Sequence, residues 1–357
     1  MVENPTTRAA DGAWGCEVTH SSRRIRVAQG MYTLGHETNP RPGVAVRRRA
    51  RAGTPEGMRR TPHDVLVWPA ERLERAEALD PVAAKVRDRV RHTLGPGAAR
   101  DILNGVPLGH PLHPALAQLP LGTWLSAGIV DLLGGRDERS ERAVRVLIGT
   151  GLLAAGAAAA AGLADYSELH QRQLRVGVAH AGANTLAAGC YLASLLARWG
   201  GRDRLGRRLG LAGFAVAGAS AYLGGHLAYR QASGVNHAEE VAYLLPPGWH
   251  RVARLDELAS GRPEVRLLGQ VPLLLLRQGD HVDVLADRCS HLAGPLHEGE
   301  IVVHDGATCV RCPWHGSTFR LADGAVAHGP ATAGQPRLEV AVSHGDVEVR
   351  LSDAGAP

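Results

Sequence analysis

Cysteine is scarce: five occur in 357 residues. That is too few for a disulfide framework, and nothing in their usage points to an oxidising compartment. Lysine is scarcer still. Of 40 basic residues only Lys85 is a lysine, so the arginine bias reflects genome composition as much as function. Aromatic residues make up 4% of the chain, and no basic stripe is interleaved with them; nucleic acid is therefore not an expected partner. The net charge of +5 suits instead an anionic membrane surface or an acidic redox partner. Ser22-Arg23-Arg24-Ile25-Arg26 resembles a twin-arginine export signal, but no apolar stretch follows it, and the match is read as chance.

What the chain does contain divides sharply along its length. Residues 1–60 have no periodic apolar face and are rich in Arg, Pro, Gly and Thr; they are expected to be disordered. Met58 is an alternative start, which would leave residues 1–57 untranslated. A helical domain is expected over 64–235. It begins with Leu66, Leu73, Leu79, Val82, Val86 and Val90 near helical spacing, and Pro81 after Asp80 marks a second helix start. This amphipathic segment either lies in a membrane interface or packs on a soluble neighbour.

Four apolar runs follow, at about 114–134, 144–164, 176–197 and 209–229. Helices of this length cross a hydrocarbon core of about 30 Å. Short Arg-rich loops join them, so the fold expected is a four-helix transmembrane bundle. Its Gly and Ala content allows close helix approach, with Tyr166, Tyr229 and Trp199 as interfacial anchors. Up-and-down connectivity brings His110, His113, His170, His180 and His226 to one face. Ionisable groups near membrane depth are functional candidates, and imidazoles from facing helices hold b-type haems. His113, His180 and His226 are the haem candidates; the alternative is that they bond headgroups, loop carbonyls or Asp165.

The last third of the chain, 248–352, changes to short β-like runs separated by Gly, Pro and Asp turns. Within it stand Cys289-Ser290-His291 and Cys312-Pro313-Trp314-His315-Gly316-Ser317. One Cys and one His from each box is the donor set of a mixed two-iron, two-sulfur cluster. Thiolates stabilise ferric iron, whereas imidazoles leave the second iron more easily reduced. Such a site takes and passes one electron. A zinc knuckle is the alternative, with Cys309-Val310-Arg311-Cys312 offering a CxxC, but zinc does not account for Pro313, Trp314, Gly316 or the later Gly329-Pro330. Cys309 is read as a small buried strand residue.

The boxes CSHLAGPLHEG and CPWHGSTF, with Asp323-Gly324 and His328-Gly329-Pro330-Ala331, closely resemble a Rieske [2Fe-2S] domain. The resemblance implies one [2Fe-2S] cluster per chain, with Cys289 and Cys312 on the inner iron and His291 and His315 on the solvent-facing iron. It also implies that Gly329-Pro330 covers the cluster and that Ser317 lies near a bridging sulfide. Gly294 and Trp314 replace the disulfide cysteines of the respiratory-complex subgroup, and Phe319 replaces its Tyr. Fewer hydrogen bonds to sulfur imply a ferredoxin-like potential, low in the family range. The gap between the boxes implies a longer hairpin around Glu298 to Thr308. The stretch from Leu108 through His110, His113 and Trp124 to Asp131 resembles a bacterial four-helix membrane domain family of unknown function.

The sequence thus reads as multidomain, an α-helical four-helix transmembrane bundle followed by a small all-β domain. Its expected role is membrane-anchored electron transfer. The alternatives are a membrane oxidoreductase coupling the cluster to a haem or quinone in the bundle, and a redox sensor. No catalytic site beyond the cluster is identified, and too little chain follows His315 for an oxygenase's mononuclear iron site. Expected partners are membrane lipid and redox proteins or quinone. The arginines of the first and third bundle loops, Arg136, Arg139, Arg142, Arg145, Arg198, Arg202, Arg204, Arg207 and Arg208, outnumber Arg172 and Arg175 in the second, which would put both termini outside the cell membrane. Lack of an export signal places the cluster domain in the cytoplasm instead, and the reading follows that.

Overall fold

The computed structural model describes residues 62–135 and 137–351, with side chains from residue 68 onward. The expected disordered segment 1–60 and the alternative start at Met58 lie outside the described residues.

Helices α1 (Pro62–Glu74), α2 (Asp80–Leu94) and α3 (Ala98–Asn104) precede four long helices, α4 (Leu112–Leu133), α5 (Glu138–Tyr166), α6 (Gln171–Trp199) and α7 (Asp203–Gly225), and a π-helical turn at His226–Arg230 extends α7. Connections of a few residues leave no room for anything but antiparallel neighbours, so the four form an up-and-down bundle. Asp137 starts α5 by accepting the Ser140 N–H at 2.9 Å. Glycines set how closely the helices approach: a Cβ on Gly151 would meet the Trp124 indole, and one on Gly213 would meet the Tyr191 ring. Those two rings stack 4.3 Å apart at the bundle centre, among Ala127, Val144, Ile148, Ala187, Leu195 and Ala217.

The outer surface of the bundle is apolar, with Leu121, Leu125, Ile129, Val146, Leu153, Leu192 and Leu196 exposed. Among the described residues three helices are long and apolar enough to cross a membrane, Leu112–Leu133, Glu138–Tyr166 and Asp203–Arg230. The fourth expected span, α6, is present at 29 residues but falls short in apolarity. His180 and Asn184 sit mid-helix, and both face inward in a hydrogen-bonded pair. Arg198 and Arg207, expected among the loop charges, are also turned inward. Arg198 is fully buried, bonding Asp131 at 2.7 Å and Glu141 at 2.5 Å, and Arg207 reaches the same two acids at 3.7 and 3.5 Å. One charged residue from each long helix thus closes this end of the bundle.

At the other end the amphipathic segment packs on the bundle. Arg175 grips Asp80 through two bonds of 2.6 and 2.7 Å, the Tyr166 hydroxyl donates to the Ala83 carbonyl at 3.1 Å, and Glu74 pairs with His226 at 2.7 Å.

After a short helix α8 (Val241–Leu244) the described residues form ten strands: β1 (His250–Arg254), β2 (Pro263–Leu268), β3 (Val271–Gln278), β4 (His281–Ala286), β5 (Glu300–His304), β6 (Ala307–Arg311), β7 (Thr318–Arg320), β8 (Val326–His328), β9 (Leu338–Ser343) and β10 (Asp346–Leu351). They make three antiparallel sheets in the orders β1-β10-β9, β2-β3-β4 and β5-β6-β7-β8. Strand β3 organises the two cores. Alternation sends Leu273 and Leu275 to one and Leu274 and Leu276 to the other, so a run of four leucines is wholly buried. The expected long hairpin is β5–β6, turned at Asp305-Gly306 with both residues at positive φ, 47° and 76°, as a two-residue hairpin turn requires. Strands β7 and β8, three residues each, were too short to show alternation in the sequence.

Candidate metal centre

Both boxes are closed loops built to one plan. The Cys289 N–H donates to the Gly294 carbonyl at 2.9 Å and the Cys312 N–H to the Ser317 carbonyl at 2.8 Å, each five residues on. Gly316, at φ 79°, makes the second loop's reversal. Ser290 anchors the first loop: its N–H donates to Gln335 Oε1 at 3.0 Å and its hydroxyl to the Ala333 carbonyl at 2.8 Å. The buried Gln335 amide also donates to the Ala286 carbonyl at 2.7 Å. In the third loop, the Ala331 N–H donates to Ser317 Oγ at 3.0 Å, which ties the Gly329-Pro330 segment to the second box.

Four candidate ligands come together at this tip as two pairs. Cys289 and Cys312, both buried, belong to the core that holds Leu274, Val310 and Phe319. A hydrogen bond between the two sulfurs, with burial, pushes the Cys289 thiol up, and the same bond brings Cys312 down to about 7. The backbone N–H groups of His291 and Leu292 favour a thiolate at Cys289, and those of Trp314 and His315 favour one at Cys312. The rings of His291 and His315 lie 5.0 Å apart, edge to face. Burial lowers His291 to about 3 and His315 to about 4, which keeps both imidazoles neutral, the form that ligates metal.

No metal is part of this structure, and the residues fit an iron-sulfur group. Nδ1 of His291 is buried with no hydrogen-bond partner, an arrangement that is costly unless the atom has another bond to make. Among the described residues no three His, Cys, Asp or Glu side chains gather on a single-ion site. The division into a sulfur pair and an imidazole pair is what a two-iron group needs. Gly294 lies where any Cβ would meet both Cys312 Sγ and the Trp314 ring, so the two positions that carry a disulfide in the respiratory subgroup are in contact here too. Phe319 is fully buried and brings no hydroxyl to the site.

The helical domain reaches this tip. Asp101 of α3 accepts from the Gly329 N–H at 2.9 Å and pairs with His328 Nδ1 at 2.8 Å. His170, the N-cap of α6, is held by its N–H donating to Gln173 Oε1 at 2.8 Å. Its ring lies 5.6 Å from His315 and 5.5 Å from Trp314. Behind it, Glu168 is buried and paired with Arg100 and Arg91, and both arginines help keep His315 deprotonated. The His237 N–H donates to the Ser290 carbonyl at 2.9 Å. Gln335 and Asp101 carried no motif that would have singled them out; each acts through a contact far away in sequence.

The haem candidates do not gather as a trio. His113 and His180 meet inside the bundle, ring centroids 6.4 Å apart, with Nδ1 of each held by a backbone carbonyl, Ala158 at 2.9 Å and Ser220 at 2.8 Å. His226, the first residue of the π-helical turn, is instead buried against Glu74 of α1. His110 is exposed, and His170 belongs to the cluster tip rather than to the bundle interior.

Two families match this chain. The Rieske [2Fe-2S] domain family matches residues 248–341, and the family described as predicted membrane protein DUF2231 matches residues 109–237. The anthranilate 1,2-dioxygenase ferredoxin subunit of Burkholderia cepacia is 34% identical over 103 residues, 29% of this chain and 92% of that protein. A human Rieske domain-containing protein is 51% identical over 73 residues, but they are only 20% of this chain and 46% of that protein. Mouse apoptosis-inducing factor 3 is matched over just 16% of its length, at 29% identity. The solved ferredoxin of carbazole 1,9a-dioxygenase from Nocardioides aromaticivorans is 28% identical, with 29% of this chain and 98% of that one covered and a TM-score of 0.27. Through its C-terminal domain the chain belongs to the Rieske [2Fe-2S] family, and that domain follows a helical domain of the DUF2231 membrane family.

Proposed function

We propose that this protein is a membrane-anchored one-electron carrier. Cys289 and Cys312 hold one iron of a [2Fe-2S] cluster, and His291 and His315 hold the other. The observation that carries the reading is the buried, unpartnered Nδ1 of His291 beside the His315 ring, at the same loop tip as the Cys289 and Cys312 sulfurs, toward which backbone N–H groups are directed. When bound, the cluster supplies a single reversible redox step. The chain's own part is to keep the imidazoles neutral, to direct N–H groups at the sulfurs and to limit water at the tip.

The cluster face is turned toward the helical domain, with His170 against His315. Electrons therefore enter or leave next to the bundle, and the redox partner is a membrane-associated protein or a quinone at that surface. A relay group in the bundle is the second reading. The observation favouring it is the His113–His180 pair, whose carbonyl-bound Nδ1 atoms orient the rings as metal-ligating histidines are oriented. His180 Nε2, however, is already 3.1 Å from the Asn184 amide.

The test is a reduced-minus-oxidised optical spectrum of the full chain in detergent, alongside His291→Ala and His113→Ala. Broad iron-sulfur bleaching lost only in the first variant is the expected result. Sharp haem bands lost in the second would make the relay reading the better one, and no bleaching in the wild type would sink both. The cytoplasmic placement of the cluster domain is checked by protease treatment of right-side-out vesicles. Protection is expected, and digestion would put the domain outside, where the loop arginines place it.

A further inference from the structure

At the end of the bundle away from the cluster, α5 and α6 part to leave a groove of about 700 Å³, lined by Arg142, Arg145, Val146, Gly149, Leu152, Leu153, Leu195 and Trp199. We propose that this groove is a binding site for an acidic phospholipid, the phosphate held by Arg142 and Arg145 and an acyl chain laid along Gly149, Leu153 and Leu195. The inference rests on the membrane reading of the helical domain.

Charge complementarity selects the occupant. The arginines deeper in this end are neutralised: Arg198 and Arg207 share Asp131 and Glu141. Those at the groove mouth are not. Arg145 has no ion-pair partner among the described residues, and Arg142 has only a 3.8 Å contact with Glu138 in which both side chains are solvent-exposed, worth little in water. Three residues apart on a helix, Arg142 and Arg145 project from one face, a geometry that suits the oxygens of one phosphate diester.

Below the arginines the lining is wholly apolar. Leu153 is 82% exposed and Val146 61% exposed, and a Cβ built on Gly149 would meet nothing within 4 Å. The floor is thus open to an occupant rather than closed by the protein. Trp199 beside the mouth sits where an indole favours the headgroup layer. Free phosphate would use the arginines and leave the apolar floor in contact with water; a phospholipid fills both parts.

The experiment uses the full chain, purified in detergent and stripped of lipid. Added phosphatidylglycerol is expected to raise the unfolding temperature, phosphatidylcholine and inorganic phosphate to leave it unchanged. In the double variant Arg142→Ala/Arg145→Ala the apparent phosphatidylglycerol affinity should fall roughly 25-fold, from about fivefold for each basic residue at an anionic surface. Gly149→Leu keeps both arginines, enters open space and so folds normally, and should weaken binding by filling the groove. Equal affinity in both variants and the wild type would overturn the site. A rise with inorganic phosphate alone would make it a plain anion site and overturn the lipid assignment. Flotation with phosphatidylcholine vesicles separates the premise from the inference. A wild-type chain that does not float removes the membrane reading itself, whereas one that floats without preferring phosphatidylglycerol removes only this site.

Discussion

His291 and His315 lose stability for the fold when they are protonated. In an unfolded chain each binds its proton near pH 6.5, whereas burial in the folded chain delays that to about 3 and about 4. Between those limits the unfolded state holds more protons, so stability falls as pH falls. Stability of the iron-free chain should be complete above pH 6.5 and decline progressively toward pH 4. Urea midpoints at pH 7.5 and 5.0 check this, and the difference should shrink in His291→Gln/His315→Gln. Asp101 is the other residue whose substitution speaks directly to the site. Its carboxylate takes the Gly329 N–H and faces His328, and hydrogen bonds to charged groups contribute about 1.5–3 kcal/mol each. Asp101→Ala should therefore raise amide exchange at Gly329 by roughly tenfold or more, read by hydrogen-exchange mass spectrometry on the cluster-loaded protein.

At the level of elements, the charged end of the bundle behaves as one unit. Arg198 is buried between Asp131 and Glu141, so Arg198→Ala leaves two acids without their main partner and should cost about 3–5 kcal/mol. Replacing all four members at once, with Arg198→Met, Arg207→Met, Asp131→Leu and Glu141→Leu, should cost far less, because nothing charged is then stranded at the centre. Thermal unfolding in detergent compares the two. The same residues show what the sequence made legible. The long helices could be read from apolar runs, and the longer strands from alternation and turn residues such as Asp305-Gly306. Arg198 read as a loop charge because its partners lie 57 and 67 positions away, and no local pattern reports such pairing. The two boxes that carry the proposed cluster ligands were legible because each keeps Cys and His at a short, fixed separation. Asp101 and Gln335 were not, since each reaches its target across more than 40 residues.

Across the whole molecule, the helical domain is part of the cluster's surroundings. Arg100 and Arg91 stand behind the α5–α6 connection and bear on His315. Positive charge near a cluster favours its reduced form, so Arg100→Gln should lower the midpoint potential, by roughly 40 mV if the arginine contributes about 1 kcal/mol to a one-electron couple. Redox titration of the purified chain measures it. The contact between His170 and His315 also has a consequence for biogenesis. With the ligation proposed above, the His291 atom that would meet the metal is buried in the seated form, so delivery of an iron-sulfur group is expected before the two domains close, and their seating would then report that loading is complete.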